Sequence, residues 1–148
     1  MAQTNFSGPL ASGDRPAGFP GGSNVGLVVL SQRRTINVDA TLVQNATIRL
    51  PRNSQIVDFK IDCRTAFNAG TSATLSAGTT SGGTQYLSGI NMATVGRKAL
   101  GLTATQMDSL QSTGDNRDVV FTITSVGTQP TTGIAYIEVQ YVQTTADD

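Results

Sequence analysis

The chain has 148 residues, ten basic and ten acidic, and so no net charge. That balance argues against electrostatic capture of nucleic acid or anionic lipid, and the length suits one domain able to bury a core without a metal or disulfide. With a single cysteine, Cys63, and no histidine, the chain has no internal disulfide, no Ser-His base and no set of zinc ligands.

The first 24 residues, "MAQTNFSGPLASGDRPAGFPGGSN", hold three of the five prolines and five glycines. They show no period of 2 or 3.6, and such a segment cannot order itself around a core of its own. Phe6, Leu10 and Phe19 are nevertheless scattered through it, with Arg15 beside Asp14. This reads as an extended arm whose apolar anchors dock on a neighbour; a disordered tail is the alternative. The start lacks the basic residues and apolar run of a signal peptide, and no later stretch approaches the roughly 20 apolar residues of a membrane span.

From Val25 the pattern becomes β. "VGLVVLSQ" is a short apolar run, and "TINVD" alternates. "ATLVQNATIRL" predicts a face carrying Leu42, Ala46, Ile48 and Leu50. "QIVDFKIDC" predicts Val57, Phe59, Ile61 and Cys63 inward, with Asp58, Lys60 and Asp62 outward. "SATLSAG" and "TQYLSGI", joined by "TTSGG", make a turn-rich β-segment. In "LTATQMDSLQST", Thr103 and Gln106 form a capping box and Met107 and Leu110 an apolar pair, which predicts one or two helical turns. "DVVFTITSV" points Val119, Phe121 and Ile123 inward and Thr122 outward; "GIAYIEVQYVQ" sets Ala135, Ile137, Val139 and Tyr141 against Ile134, Tyr136, Glu138 and Gln140. One dry face and one wet face is the mark of antiparallel sheets. About eight short strands suggest an all-β antiparallel β-sandwich over residues 25–148, jelly-roll-like in topology.

Residues 65–96, between Arg64 and Arg97, carry no charged side chain and are dominated by glycine, serine, threonine, alanine and asparagine. Charges are costly to desolvate and are depleted at interface cores, so this stretch suits contact with another subunit, or an ordinary loop-rich sandwich edge. Eight of the ten basic residues are arginine, the cation favoured at interfaces.

Catalytic chemistry is hard to build from these residues. Asp58 and Asp62 share a strand face, but their Cα atoms would lie roughly 13 Å apart, beyond the about 5 to 9.5 Å of a glycosidase pair. With Lys60 between them they read as an ionic ladder. Asp115, Asn116 and Asp118 resemble half a calcium loop without its downstream glutamate and otherwise read as a polar turn. Arg33 and Arg34 begin a strand and read as salt-bridge or interface arginines, since a nucleic-acid stripe needs more cations and stacking aromatics. Tyr86, Tyr136 and Tyr141 are too dispersed for a sugar platform, and Cys63, on the core face, behaves as a small hydrophobe.

The start "TNFSGPL" with its Gly/Pro-rich arm resembles the N-termini of tailed-bacteriophage capsid decoration (cement) and head-fibre proteins. The block "LPRNSQIVDFKIDCRTAFNAGTSATLSAGTTSGGTQYLSGINMATVGR" is similar to one in small phage virion proteins, and "AYIEVQYV" resembles their final strand. The resemblance implies a β-sandwich that trimerises on the outside of a shell of major capsid protein, with the arm reaching neighbouring subunits. Phe6, Leu10, Arg15 and Phe19 would then bind the capsid, and Arg64, Tyr86 and Arg97 are interface candidates. Head-fibre members carry a long repetitive extension after this start; its absence here favours a compact cement protein. The expectation is a non-enzymatic virion protein, present in the host cytoplasm during assembly, with no cofactor, nucleic acid or membrane partner. The alternative is a receptor- or glycan-binding module of a tail, baseplate or head fibre.

Overall fold

A computed structural model describes residues 28–39 and 41–143. The expected arm, residues 1–24 with Phe6, Leu10, Arg15 and Phe19, lies outside the described residues. Eight strands and one short helix follow in the order β1 (Val29–Asn37), β2 (Val43–Leu50), β3 (Ser54–Thr65), β4 (Ser72–Gly78), β5 (Leu87–Asn91), β6 (Gly96–Arg97), α1 (Ala104–Asp108), β7 (Arg117–Val126) and β8 (Ile134–Gln143). They form two four-stranded sheets, β1-β8-β3-β6 and β2-β7-β4-β5, with every pairing antiparallel. Only β4 and β5 are consecutive strands within one sheet; elsewhere each strand is followed by one in the opposite sheet. The expected all-β sandwich is the observed architecture.

The two inner faces meet in one core. Phe59, Ile61, Cys63, Ile137 and Val139 come from the first sheet, and Ile48, Leu75, Val119, Phe121 and Ile123 from the second. Phe59 is the bridge between them. Its ring stands edge-on to Phe121, with centroids 5.9 Å apart, and lies 6.2 Å from Tyr86. The alternation in β7 and β8 seats the expected apolar residues in this core.

Four expectations shift in detail. First, "VGLVVLSQ" and "TINVD" contribute to a single edge strand, so Arg33 and Arg34 lie in the middle of β1 and not at its start. Second, Val57 points outward and is 49% exposed, while Ile56 is buried. A bulge between Ile56 and Asp58 inserts one unpaired residue against β8, which reverses the faces on its N-terminal side. Third, Leu42 precedes β2 and is exposed, and Gln44 takes the inward position before Ala46. Fourth, the capping box forms, with the Gln106 N–H donating to Thr103 Oγ1 at 3.2 Å, but α1 turns Met107 to solvent. Gln106 is the buried residue, its amide donating to the Thr84 carbonyl at 3.3 Å.

The uncharged segment has an internal use. The loop after β4 folds back over the outer face of its own sheet: Ser81 Oγ and Thr122 Oγ1 both donate to Asn45 Oδ1, and the Gly82 N–H donates to Thr122 Oγ1. Thr122, expected outward and wet, is therefore covered. The loop closes tightly enough to demand glycine. A Cβ on Gly78 would lie 2.6 Å from the Gly83 carbonyl carbon and 2.7 Å from its Cα, and would also strike Gln85 Oε1. Small hydroxyl side chains and glycines let a loop lie on a sheet with its polar groups paired.

Candidate functional site

Most of the residues singled out for chemistry have structural partners. Lys60 does not bridge Asp58 and Asp62; it reaches across to Glu138 on β8 at 3.7 Å. Asp62 instead pairs with Arg64 at 2.9 Å, and Asp58 accepts the Phe59 N–H at 2.8 Å. In the polar turn, Asn116 Oδ1 accepts the Arg52 N–H at 3.0 Å and Asp118 pairs with Arg49 at 3.2 Å. Among the described residues no three His, Cys, Asp or Glu side chains cluster to hold a metal ion. Cys63 is buried, and its Sγ donates to the Thr65 carbonyl at 3.3 Å. Burial pushes this thiol above its ordinary range; the Lys98 charge partly opposes that shift and Asp62 adds to it.

Two of the tyrosines belong to the core. Tyr141 is buried, its hydroxyl accepting from Gln32 Nε2 at 3.2 Å. Tyr86, expected at an interface, is 3% exposed and packs on Phe59, with the Arg117 guanidinium 5.9 Å from its ring centre. It presents no free ring to a surface partner within the described chain. Arg64 and Arg97, the other two interface candidates, are exposed and lie together on the outer face of the β1-β8-β3-β6 sheet.

That face is the one charged platform the described strands build. Strand register sets its rows. Arg33, Glu138 and Lys60 lie abreast across β1, β8 and β3, and in the next row Thr35, Tyr136, Asp62 and Arg97 lie abreast across β1, β8, β3 and β6. Glu138 is shared by Arg33, at 3.2 Å, and Lys60. Tyr136 sits between two guanidiniums: Arg33 from β1 is 5.8 Å from its ring centre, and Arg64 from β3 is 5.5 Å away. The pairs are unequal in depth. Arg33 and Arg64 side chains are 64% and 60% exposed, whereas Glu138 and Asp62 are 14% and 30% exposed. The carboxylates are sunk between the strands and the cations ride above them, so the platform presents positive charge outward.

The sequence placed Tyr136 and Glu138 on a wet face and marked Arg64 and Arg97, but it did not bring Arg33 and Tyr136 to them. The signal is cross-strand register, which alternation within one strand does not contain. Among the described residues no helix is long and apolar enough to cross a membrane.

No protein-family model matches the chain, and no curated protein matches it. Among solved structures the chain is similar to a protein in the structure titled "Capsid of Ralstonia phage GP4". The likeness has a TM-score of 0.50 at 18% identity and covers 92% of this chain and 96% of that one. At that identity the likeness is one of fold, extending over nearly the whole of both chains.

Proposed function

We propose that this chain is a structural virion protein: a capsid decoration, or cement, subunit that binds the outer surface of the shell formed by a phage's major capsid protein and stabilises it. The observation that carries this reading is the end-to-end fold likeness to a chain of a phage capsid structure. The strand order 1-8-3-6 against 2-7-4-5, with the chain crossing between sheets at nearly every step, supports a jelly-roll-like topology. The mechanism is binding without catalysis. A trimer would engage several equivalent shell sites at once, and modest contacts summed over one assembly hold strongly. Residues 1–24 act as an arm, with Phe6, Leu10 and Phe19 as anchors and Arg15 as a directional contact; the sandwich supplies the rest of the contact. The protein would be found on the virion, and in the host cytoplasm before assembly.

The decisive experiment is a copy count in purified particles by quantitative gel, paired with co-sedimentation of the purified protein with empty shells. Cement predicts hundreds of copies and shell binding that weakens severely when residues 1–24 are deleted. A handful of copies per particle, with binding to a receptor or glycan, would replace the cement reading with that of a tail, baseplate or head-fibre module.

A further inference from the structure

We infer that the outer face of the β1-β8-β3-β6 sheet, centred on Tyr136, Arg33 and Arg64, is a docking surface for an extended acidic segment of a partner protein. Three features carry this. The first is unbalanced pairing. Arg33 and Lys60 share one carboxylate, Glu138, and Asp62 is engaged by Arg64 while facing Arg97 across the register. Arg97 makes no ion pair with a described residue. Asp58, the remaining acidic residue of this face, is turned to the Phe59 backbone N–H.

The second is the way the guanidiniums are held. Arg64 reaches Asp62 through Nε at 2.9 Å, and its side chain remains 60% exposed. Arg33 and Arg64 approach the Tyr136 ring from the two flanking strands, their guanidinium carbons 5.8 and 5.5 Å from its centre, so the ring gathers two exposed cations at one place on the face. The third is spacing. The two charged rows are separated by two residues along β8, about 7 Å, which is also the spacing of same-side residues in an extended chain. Acidic residues at alternate positions of such a chain would fall on successive rows.

The same geometry disfavours a nucleic acid. Base stacking needs an open aromatic face, and two guanidiniums already stand over the Tyr136 ring, 5.8 and 5.5 Å from its centre. This inference stands on the face itself. If the virion reading holds, it names the chemistry of the shell segment that this face would take.

The test uses the full chain and three fluorescein-labelled probes in anisotropy titrations at low salt: a 12-residue peptide of alternating glutamate and threonine, one of alternating lysine and threonine, and the oligonucleotide dT12. The expected result is saturable binding of the glutamate peptide alone. It should weaken about ten-fold when salt is raised well above physiological strength. Arg64→Glu and Arg33→Glu should each weaken it about ten-fold or more, and Arg64→Gln by less. Arg52→Glu, an exposed site in the turn ahead of β3, should leave it within about two-fold. Circular dichroism of the variants should match the parent, and the charge reversals beside Glu138 and Asp62 should lower Tm by only about a few degrees, because the substituted side chains are exposed. Absence of binding, equal losses in Arg52→Glu, or equal binding of dT12 would each overturn the proposal. The titration needs no particles, so its failure and a low copy number on virions are separate outcomes.

Discussion

Arg117 is the sharpest test of the fold. It opens β7 with its side chain 6% exposed, in the interior, and it pairs with no carboxylate among the described residues. Its guanidinium instead donates to three carbonyls: Ser54 at 2.6 Å, Gln111 at 2.6 Å and Ser109 at 3.0 Å. One cation thus ties the start of β3 to the loop after α1, beside backbone bonds from the Ile56 N–H to the Leu110 carbonyl and from the Asn53 N–H to the Thr113 carbonyl. Replacing Arg117 with Met keeps bulk over Tyr86 and removes the donors. Ser109 and Gln111 lie in a partly open loop where water can replace the lost bonds, whereas the Ser54 carbonyl is enclosed. A buried acceptor left without a donor costs about 1 to 3 kcal/mol, and hydrogen bonds to a charged group contribute about 1.5 to 3 kcal/mol each before the relief of no longer burying a cation. The expected net loss is about 2 to 4 kcal/mol, or roughly 5 to 15 °C in Tm for a chain of this size. Urea unfolding measures the global figure. Hydrogen exchange adds a local one: the Ile56 and Asn53 amides should lose protection more than the amides of β8. A Met variant within about 0.5 kcal/mol of the parent, with unchanged exchange at those two amides, would refute the idea that Arg117 pins this end of the sandwich.

Phe59→Ala should be among the worst single changes, at about 3 to 5 kcal/mol by chemical denaturation, since it empties the contact between Phe121 and Tyr86; near-parental stability would place the inter-sheet core elsewhere. Gly78→Ala drives a Cβ into the Gly83 backbone and should cost about 1 to 3 kcal/mol, whereas Gly101→Ala, with nothing within 4 Å, should be close to neutral; equal effects in thermal melts would contradict the loop packing. Native Cys63 should resist thiol reagents at pH 8 and react quickly in urea. Because burial raises its pKa in the folded state, the folded chain holds the proton more tightly than the unfolded one. This contribution is complete below the unfolded thiol's pKa, ordinarily 9.0, and is lost as pH rises through the higher folded value. A stability that climbs above pH 9, after correction for the other alkaline groups, would contradict this.

What the sequence determined by itself is whatever the pleat and the helical turn dictate within a few residues. Alternation in "DVVFTITSV" and "GIAYIEVQYVQ" put Phe121, Ile137, Val139 and Tyr141 inside, because a strand sends successive side chains to opposite faces whatever lies beside it. The Thr103–Gln106 box needs only its own four residues and formed as read. The tertiary structure decided the rest. The bulge at Val57 depends on how β3 is paired to β8, and it turned a valine outward that alternation had sent inward. Thr122 is dry because a loop some 40 residues away lies on it. Arg117 is buried because the Ser54, Ser109 and Gln111 carbonyls converge on it from separate segments. The charged platform has the same origin. Arg33, Arg64 and Tyr136 are distant in sequence and meet only because β1 and β3 flank β8 in one particular register. Period is a property of one strand, whereas register and cover belong to its neighbours in space, and a single strand's sequence holds no record of which neighbours those will be.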